Sequence, residues 1–421
     1  MNIVSVTAST TATPPATSTN TPDTLTVEVV DMLGEFNNPL SIIRGEWLTL
    51  FERDPHALIF HHPDYTGVEL SHLPNSHLPS LILVCRQNGL IVGLGGLLPK
   101  VSRSRYVGGL GPNLKLQGYR LVGNRFLYGG DEAVQSKLLE AATREVVQRG
   151  ARYLLIEDVD QASSLLQLAQ TYTKRGYGIY SPTSFQVRLK IDLPRTGTEY
   201  FGKFSSKTRN TFKRKEKKLG SIRIMRCSTV DQVADFLRDA HLISVNTWQT
   251  EQFGLRVKND AADLAQFTFM ASQGALRSYL LYQDETPMAF IIGNQHRGLY
   301  RYEEVGFDRK FHALSPGQVL LLKVLDDMFA DNTPQCFDFG MGDADYKRML
   351  ANVETTAGNV WLVPPGIRGR SLVAWLNGSR MVRQRGRQMI KVLGWYRQMR
   401  QKSRLGKTKA TTTEEAGNSK D

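Results

Sequence analysis

No stretch of this sequence approaches the roughly 18 uninterrupted apolar residues that a membrane-crossing helix needs. The N-terminus lacks the basic head and apolar segment of a secretory signal, so the sequence predicts a cytoplasmic protein. Cysteine is scarce: Cys85, Cys227 and Cys336 are far apart, odd in number and in no CxxC spacing. That argues against a disulfide framework and gives no zinc signature, leaving three reduced thiols in cores. His61, His62, His72 and His77 crowd one region but have neither helical spacing nor a matching acid, so no metal is expected. No Ser-His-Asp or Cys-His motif is visible, and "GLGG" at 93–96 lacks the helix that a nucleotide fingerprint requires.

Acids are the second shortage, and it is local. From Gly366 to the end there are 14 Lys or Arg against three acids, whereas the preceding residues hold 39 against 37. The formal charge of +13 therefore belongs mostly to the tail. A second basic cluster runs from Lys203 to Arg223, with only Glu216 opposing it. Such clusters are solvated helix faces or sites for phosphate, RNA or anionic lipid.

What is present is enough apolar residue, 41% of 421, for two or three domains. Residues 1–24, rich in Thr, Ser, Ala and Pro, read as a disordered leader. A first half follows over 25–200: a helix carrying Trp47, Leu50 and Phe51, then two strands joined at Asn88-Gly89. After "NRFLYGG" comes a helix with Leu138, Leu139, Ala142 and Val146 at helical spacing, ending at Gly150, and then a strand over 153–156. The second half, 201–365, repeats this order. A basic helix over 205–219 opens it; three antiparallel strands turn at 283–287 and 295–298, and a helix from Pro316 leads into the strand "QCFDFG". Aligning "RQNGLIVGLGGL" with "YQDETPMAFIIG" suggests an internal duplication. Residues 366–405 read as a basic amphipathic helix with Trp375 and Trp395, expected to associate weakly with an anionic membrane surface; 406–421 return to low complexity.

The chemistry concentrates in the second half. The strand "YRYEEV" ends in the loop "GFDRKFHALSPG", which opens a leucine-rich helix. The unpaired N–H groups of a helix start suit a phosphate; Ser315 is a candidate cap, Pro316 fits the first turn, and Gly317 permits close approach. In "FDFGMGDADYKRML", Gly340 and Gly342 are expected to bend the chain after a buried strand. Asp338, an acid between two phenylalanines, needs either a role or an arginine partner.

Strand, anion-binding loop, helix and strand in this order resemble the core of the Gcn5-related N-acetyltransferase (GNAT) fold. "SSKTRNTFKRKEKKLG", "GFDRKFHALSPGQVLLLKVL" and "FDFGMGDADYKRML" together resemble the CelD-like acetyltransferases of polysaccharide biosynthesis, a family similar to the Fem-type transferases with their tandem halves. The resemblance covers most of residues 40–365. It implies an α/β protein of two GNAT-like halves, with mixed, mostly antiparallel sheets flanked by helices. It also implies acetyl-CoA or another acyl-CoA as cosubstrate, without metal, and a small acceptor such as an amino sugar. The usual pyrophosphate loop, Gln/Arg-x-x-Gly-x-Gly/Ala, is reduced here to the Ser315-Pro316-Gly317 corner, with Gln318 following. In the first half, "YGGDEA" puts Asp131 and Glu132 at the helix start, where they would repel pyrophosphate, so the cofactor is expected in the second half.

Acyl transfer needs a base, an oxyanion donor and an acid for the leaving thiolate. Strand alternation sends Glu303 and Glu304 to opposite faces; Glu304 is favoured as base because Tyr300 and Tyr302 would share its face. By position in the family motif, Asp338 and Tyr346 join the catalytic set, Tyr346 as proton donor, and Asp343, Asp345 and Lys347 face the acceptor. Two alternatives stand: an aminoacyl-tRNA-dependent transferase, in which the basic helix holds RNA, and a non-catalytic scaffold. Nucleic acid is expected only under the first of these. Peripheral attachment at the inner membrane face would follow from the tail.

Overall fold

A computed structural model of the chain describes residues 24–32, 39–73, 76–104, 114–382 and 385. The leader, the tail beyond 385, and with them Met389, Leu393, Trp395 and Tyr396, lie outside the described residues. The first half runs β1 (Thr26–Asp31), α1 (Pro39–Arg53), α2 (Pro63–Ser71), β2 (Leu81–Gln87), β3 (Leu90–Ser104), β4 (Leu114–Leu121), α3 (Glu132–Gln148), β5 (Leu154–Asp160), α4 (Ser164–Thr171), β6 (Gly178–Tyr180) and β7 (Gln186–Asp192). The second continues with α5 (Gly197–Gly202), α6 (Ser206–Leu219), β8 (Ile222–Cys227), α7 (Val233–Val245), α8 (Trp248–Phe253), α9 (Ala261–Ser272), β9 (Ser278–Gln283), β10 (Thr286–His296), β11 (Leu299–Phe307), α10 (Pro316–Ala330), β12 (Cys336–Met341), α11 (Asp345–Leu350) and β13 (Val353–Val363).

Each half repeats one plan: a strand, helices, three antiparallel strands, a long helix, and a strand parallel to the fourth. The parallel contact is β4 with β5 in one half and β11 with β12 in the other. The tight turns form where the sequence expects them, with Asn88 and Gly89 at φ 50° and 82° and Arg297 and Gly298 at 49° and 76°. Helices α3 and α10 bury their apolar stripes against the sheet. From α10, Val319, Leu320, Leu321, Val324, Leu325 and Met328 enter the second core, each contributing about 1.5–3 kcal/mol if fully buried.

The closing strands are exchanged. The sheet order is β1-β2-β3-β4-β5-β13-β7-β12-β11-β10-β9-β8, with β6 also on β13. The last strand of the chain, β13, thus pairs with β5 of the first half, and β7, which precedes residue 200, pairs with β12 of the second. One continuous, mostly antiparallel sheet flanked by helices results, with the two parallel contacts at corresponding places. Neither β7 nor β13 is among the strands read from the sequence, and local pattern says nothing about which neighbour completes a sheet. A second tie is Arg297, in the β10–β11 turn. It donates to Phe51 O at 2.7 Å, Glu52 O at 3.2 Å and Asp54 O, the carbonyl end of α1 in the other half. Residues 367–382 are helical, and Leu372, Trp375 and Leu376 pack on the first-half core beside Tyr153 and Trp361. This part of the basic segment therefore belongs to the fold.

Candidate functional site

The strands β11 and β12 stay paired for only three residues, Leu299 with Cys336, Tyr300 with Phe337 and Arg301 with Asp338. Beyond that point β11 runs on to Phe307 and β12 to Met341 without pairing to each other, which opens a split in the sheet. Gly340 and Gly342, at φ 68° and 112°, turn β12 away, a conformation that glycine adopts at little cost.

A bulge shapes the β11 side. Ile292 opposes Glu304 while the next residue, Gly293, opposes Tyr302, leaving Glu303 as an extra residue. Alternation alone predicts opposite faces for the two glutamates, and the bulge overturns it. Glu303 accepts from Arg301 Nε at 2.7 Å and from Asn294 Nδ2 at 3.3 Å. Glu304 sits opposite Ile292, on the α7–α9 side, whereas Tyr300 and Tyr302 point into the α10-side core. Both glutamates therefore face away from the tyrosines expected to accompany Glu304. Glu304 is partly buried, and Arg256 holds its Oε2 at 2.8 and 3.0 Å. Oε1 is not engaged by Arg256.

On the β12 side Asp338 is 3% exposed and has the arginine partner that its surroundings demand. Arg188 Nε donates to both carboxylate oxygens at 3.0 and 2.9 Å, and the Gly340 N–H adds 2.9 Å. Burial pushes this carboxyl up in pKa, but the Arg188 bonds and charge outweigh it and the net value lies below the ordinary one. Asp338 is thus a held anion at neutral pH. Arg188 also reaches Asp158 Oδ1 at 3.1 Å, and Arg301 reaches Asp158 Oδ2 at 3.2 Å, so the pair belongs to a network joining the halves. Sequence reading did not single out Arg188 or Asp158; their partners are 150 and 143 positions away.

The residues after β12 fold back over the split. Tyr346 shares a hydrogen bond with Tyr302 and lies edge-on to Phe339, bridging the two diverging strands; burial raises its hydroxyl pKa. Lys347 Nζ donates to Phe339 O at 2.9 Å, and burial lowers its pKa. Asp343 is exposed and ion-paired with Arg348 at 2.8 Å, and Asp345 is exposed in the first turn of α11.

At the far end of the β11 arm, α10 begins at Pro316. Ser315 does not cap it: it sits left-handed at φ 54°, ψ 48° and makes no side-chain cap bond, so that expectation fails. The helix start instead borders a cavity of about 520 Å³ lined by Arg214, Lys215, Lys217, Lys218, Ala313, Leu314 and Ser315. Lys218 Nζ donates to Ala313 O at 2.9 Å and Lys215 to the Gln318 side chain, which fixes the basic face of α6 beside the loop. Four cations, no carboxylate and a helix N-terminus make an anion-attracting corner.

The first-half counterpart is closed. β4 ends at Leu121, one residue beyond Arg120, the last position paired with β5. The loop before α3 already holds a carboxylate: Asp54, fully buried, accepts from the N–H groups of Tyr128 and Gly129, both at 3.1 Å, and from Arg125 at 3.4 Å. Asp131 caps α3 through the Ala133 N–H at 2.8 Å.

Residues 206–348 match the family model described as acetyltransferase (GNAT) domain. The match starts at the basic helix and takes in every residue named above as a second-half candidate. No curated protein matches the chain. Among solved structures, FemX is similar with a TM-score of 0.53 and 10% identity over 76% of this chain and 96% of its own. A tandem GNAT protein from the clavulanic acid biosynthesis pathway has a TM-score of 0.47 and 13% identity over 81% and 100%. At these identities the likeness concerns the fold.

Proposed function

We propose that the second half binds an acyl-CoA in the β11–β12 split and transfers its acyl group to an amine on a sugar or another small polar acceptor. The observation that carries this reading is the four-cation corner at the start of α10, lying directly beyond the split. The cosubstrate supplies a thioester carbonyl. The acceptor nitrogen forms the C–N bond as the C–S bond breaks. Glu304, through the oxygen that Arg256 leaves open, takes the proton lost by the amine. The bulge at Glu303 frees β11 backbone from the ladder, giving N–H donors for the carbonyl oxygen as it gains charge. Tyr346, whose hydroxyl burial keeps protonated, returns a proton to the leaving sulfur. Asp338 and Arg188 hold β12 and β7 together beneath the split and position rather than react.

Titration calorimetry with coenzyme A, wild type beside Gly317→Asp, tests the reading. A Cβ at Gly317 meets only Phe307 Cδ1, at an ordinary 3.5 Å, so the variant should fold while placing a negative charge at the helix start. The expected result is wild-type binding weakened by about 10-fold or more in the variant, as loss of a charge-assisted phosphate contact implies. Absence of wild-type binding overturns the proposal. A second reading, an aminoacyl-tRNA donor held by α6, draws on the same basic face; retention of charged tRNA with a steep salt dependence would favour it.

A further inference from the structure

We propose that the acceptor sits in the cleft between the halves, and that it is a polyhydroxylated amine of sugar size carrying an acidic group; this rests on the acyl-transfer reading. The cleft encloses about 470 Å³ and takes walls from both halves, with Arg301 and Asp338, the last paired residues before the split, on its floor. That volume is ordinary for a small-molecule site, but its lining is not. Such sites are mostly apolar. Here only Leu58, Val159, Leu165 and Leu299 are aliphatic among the 17 lining residues.

Two lining groups have no use inside the fold. Gln135, on α3, is 3% exposed, yet its side-chain amide makes no hydrogen bond among the described residues. The amide is held inside the wall of the cleft with its polar atoms open to it, where a hydroxyl-rich ligand would engage them. Lys190, on β7, is partly buried and has no carboxylate within 4 Å among the described residues, although Asp338 is its cross-strand neighbour. The other cations are committed: Arg188 to Asp338 and Asp158, Arg301 to Asp158 and Glu303, Arg125 to Asp54. Asp160 caps the turn at Ala162. Lys190 and Asp160, whose carboxylate has no cation within 4 Å among the described residues, are therefore the charges left to meet a ligand: Lys190 calls for an anion and Asp160 for a donor such as the acceptor amine. For the anion, carboxylate and phosphate share that chemistry.

The test uses the full chain without coenzyme A. Glucosamine, glucosamine 6-phosphate and 2-amino-2-deoxyglucuronate are titrated calorimetrically into wild type, Lys190→Met and Gln135→Leu. One acidic sugar should bind at least about 10-fold more tightly than glucosamine, the scale of a charge-assisted bond. Which one does so distinguishes phosphate from carboxylate. Lys190→Met should erase the difference, and Gln135→Leu should weaken all three sugars alike. Equal binding of the three, a preference that survives Lys190→Met, or no binding at millimolar sugar would each overturn the assignment. Unchanged thermal midpoints show that the variants fold. Because coenzyme A is titrated separately, sugar binding without coenzyme A binding would sink the acyl-CoA reading and leave the cleft standing.

Discussion

The two halves carry the same sequence of elements, and only one ends in an open split. In both, an arginine occupies the last position paired across the parallel contact, Arg120 in one and Arg301 in the other. Three residues further on, the second half has Glu304 and the first has Gly123. Gly123 is left-handed at φ 71°, and any side chain there would collide with the buried His61 ring. Where β11 continues along β10 without β12, β4 stops and turns. Where the loop before α10 faces four cations, the loop before α3 is filled by Asp54. An internal carboxylate thus occupies, in one copy, the place for which an external anion is proposed in the other. Two halves built on one plan can differ in whether the loop before the long helix is filled from within or left open.

The largest effect expected on this contrast is catalytic. Glu304→Gln should lower kcat by about 100- to 10,000-fold, the range for a lost general base, with coenzyme A affinity unchanged. Steady-state kinetics beside a coenzyme A titration checks it. Unaltered turnover would mean that the amine reaches the site already deprotonated or that another group serves.

Next in size is the closed half. Asp54→Ala leaves Arg125 and the Tyr128 and Gly129 N–H groups without their buried partner, and breaking such a pair costs about 3–5 kcal/mol. Denaturant unfolding should show this loss. In a Gly317→Asp background, added pyrophosphate should restore stability only when Asp54 is absent, with an increment that grows with concentration. No such rescue would mean that the loop is not an anion cradle. The sign with pH is fixed. Burial raises the Asp54 pKa, but Arg125 and the backbone donors outweigh it and the net value lies below the ordinary 3.8. Its contribution is therefore full above that pH and fades as pH falls through the lower, folded value, so the gap between wild type and variant should narrow in acid.

Much of the frame was legible because it rests on local rules. The Asn88-Gly89 turn, the α3 stripe ending at Gly150, the α10 start at Pro316 and the glycine bend after β12 each follow from residues within one turn or strand. What escaped the sequence is non-local. The β7–β13 exchange, the Arg188–Asp338 pair and the Asp54 plug join residues far apart in the chain. The bulge at Glu303 is a subtler miss: one extra residue reverses the alternation on which the choice between Glu303 and Glu304 depended, and no local signal marks it.

The smallest expected effect separates the two helix starts. Asp131 has an extended backbone at φ −78° and accepts from Ala133 N, so Asp131→Ala should cost about 1 kcal/mol, as loss of an N-cap does. Ser315 stands at the same place in the repeat but is left-handed and makes no cap bond. Ser315→Ala should therefore stay within about 0.5 kcal/mol of wild type, as for a surface change that breaks nothing. Parallel unfolding curves decide between them. Equal losses would mean that Ser315 caps α10 in solution. The N–H groups of that helix would then be occupied like those of α3, and the open half would lose part of its claim to an external phosphate.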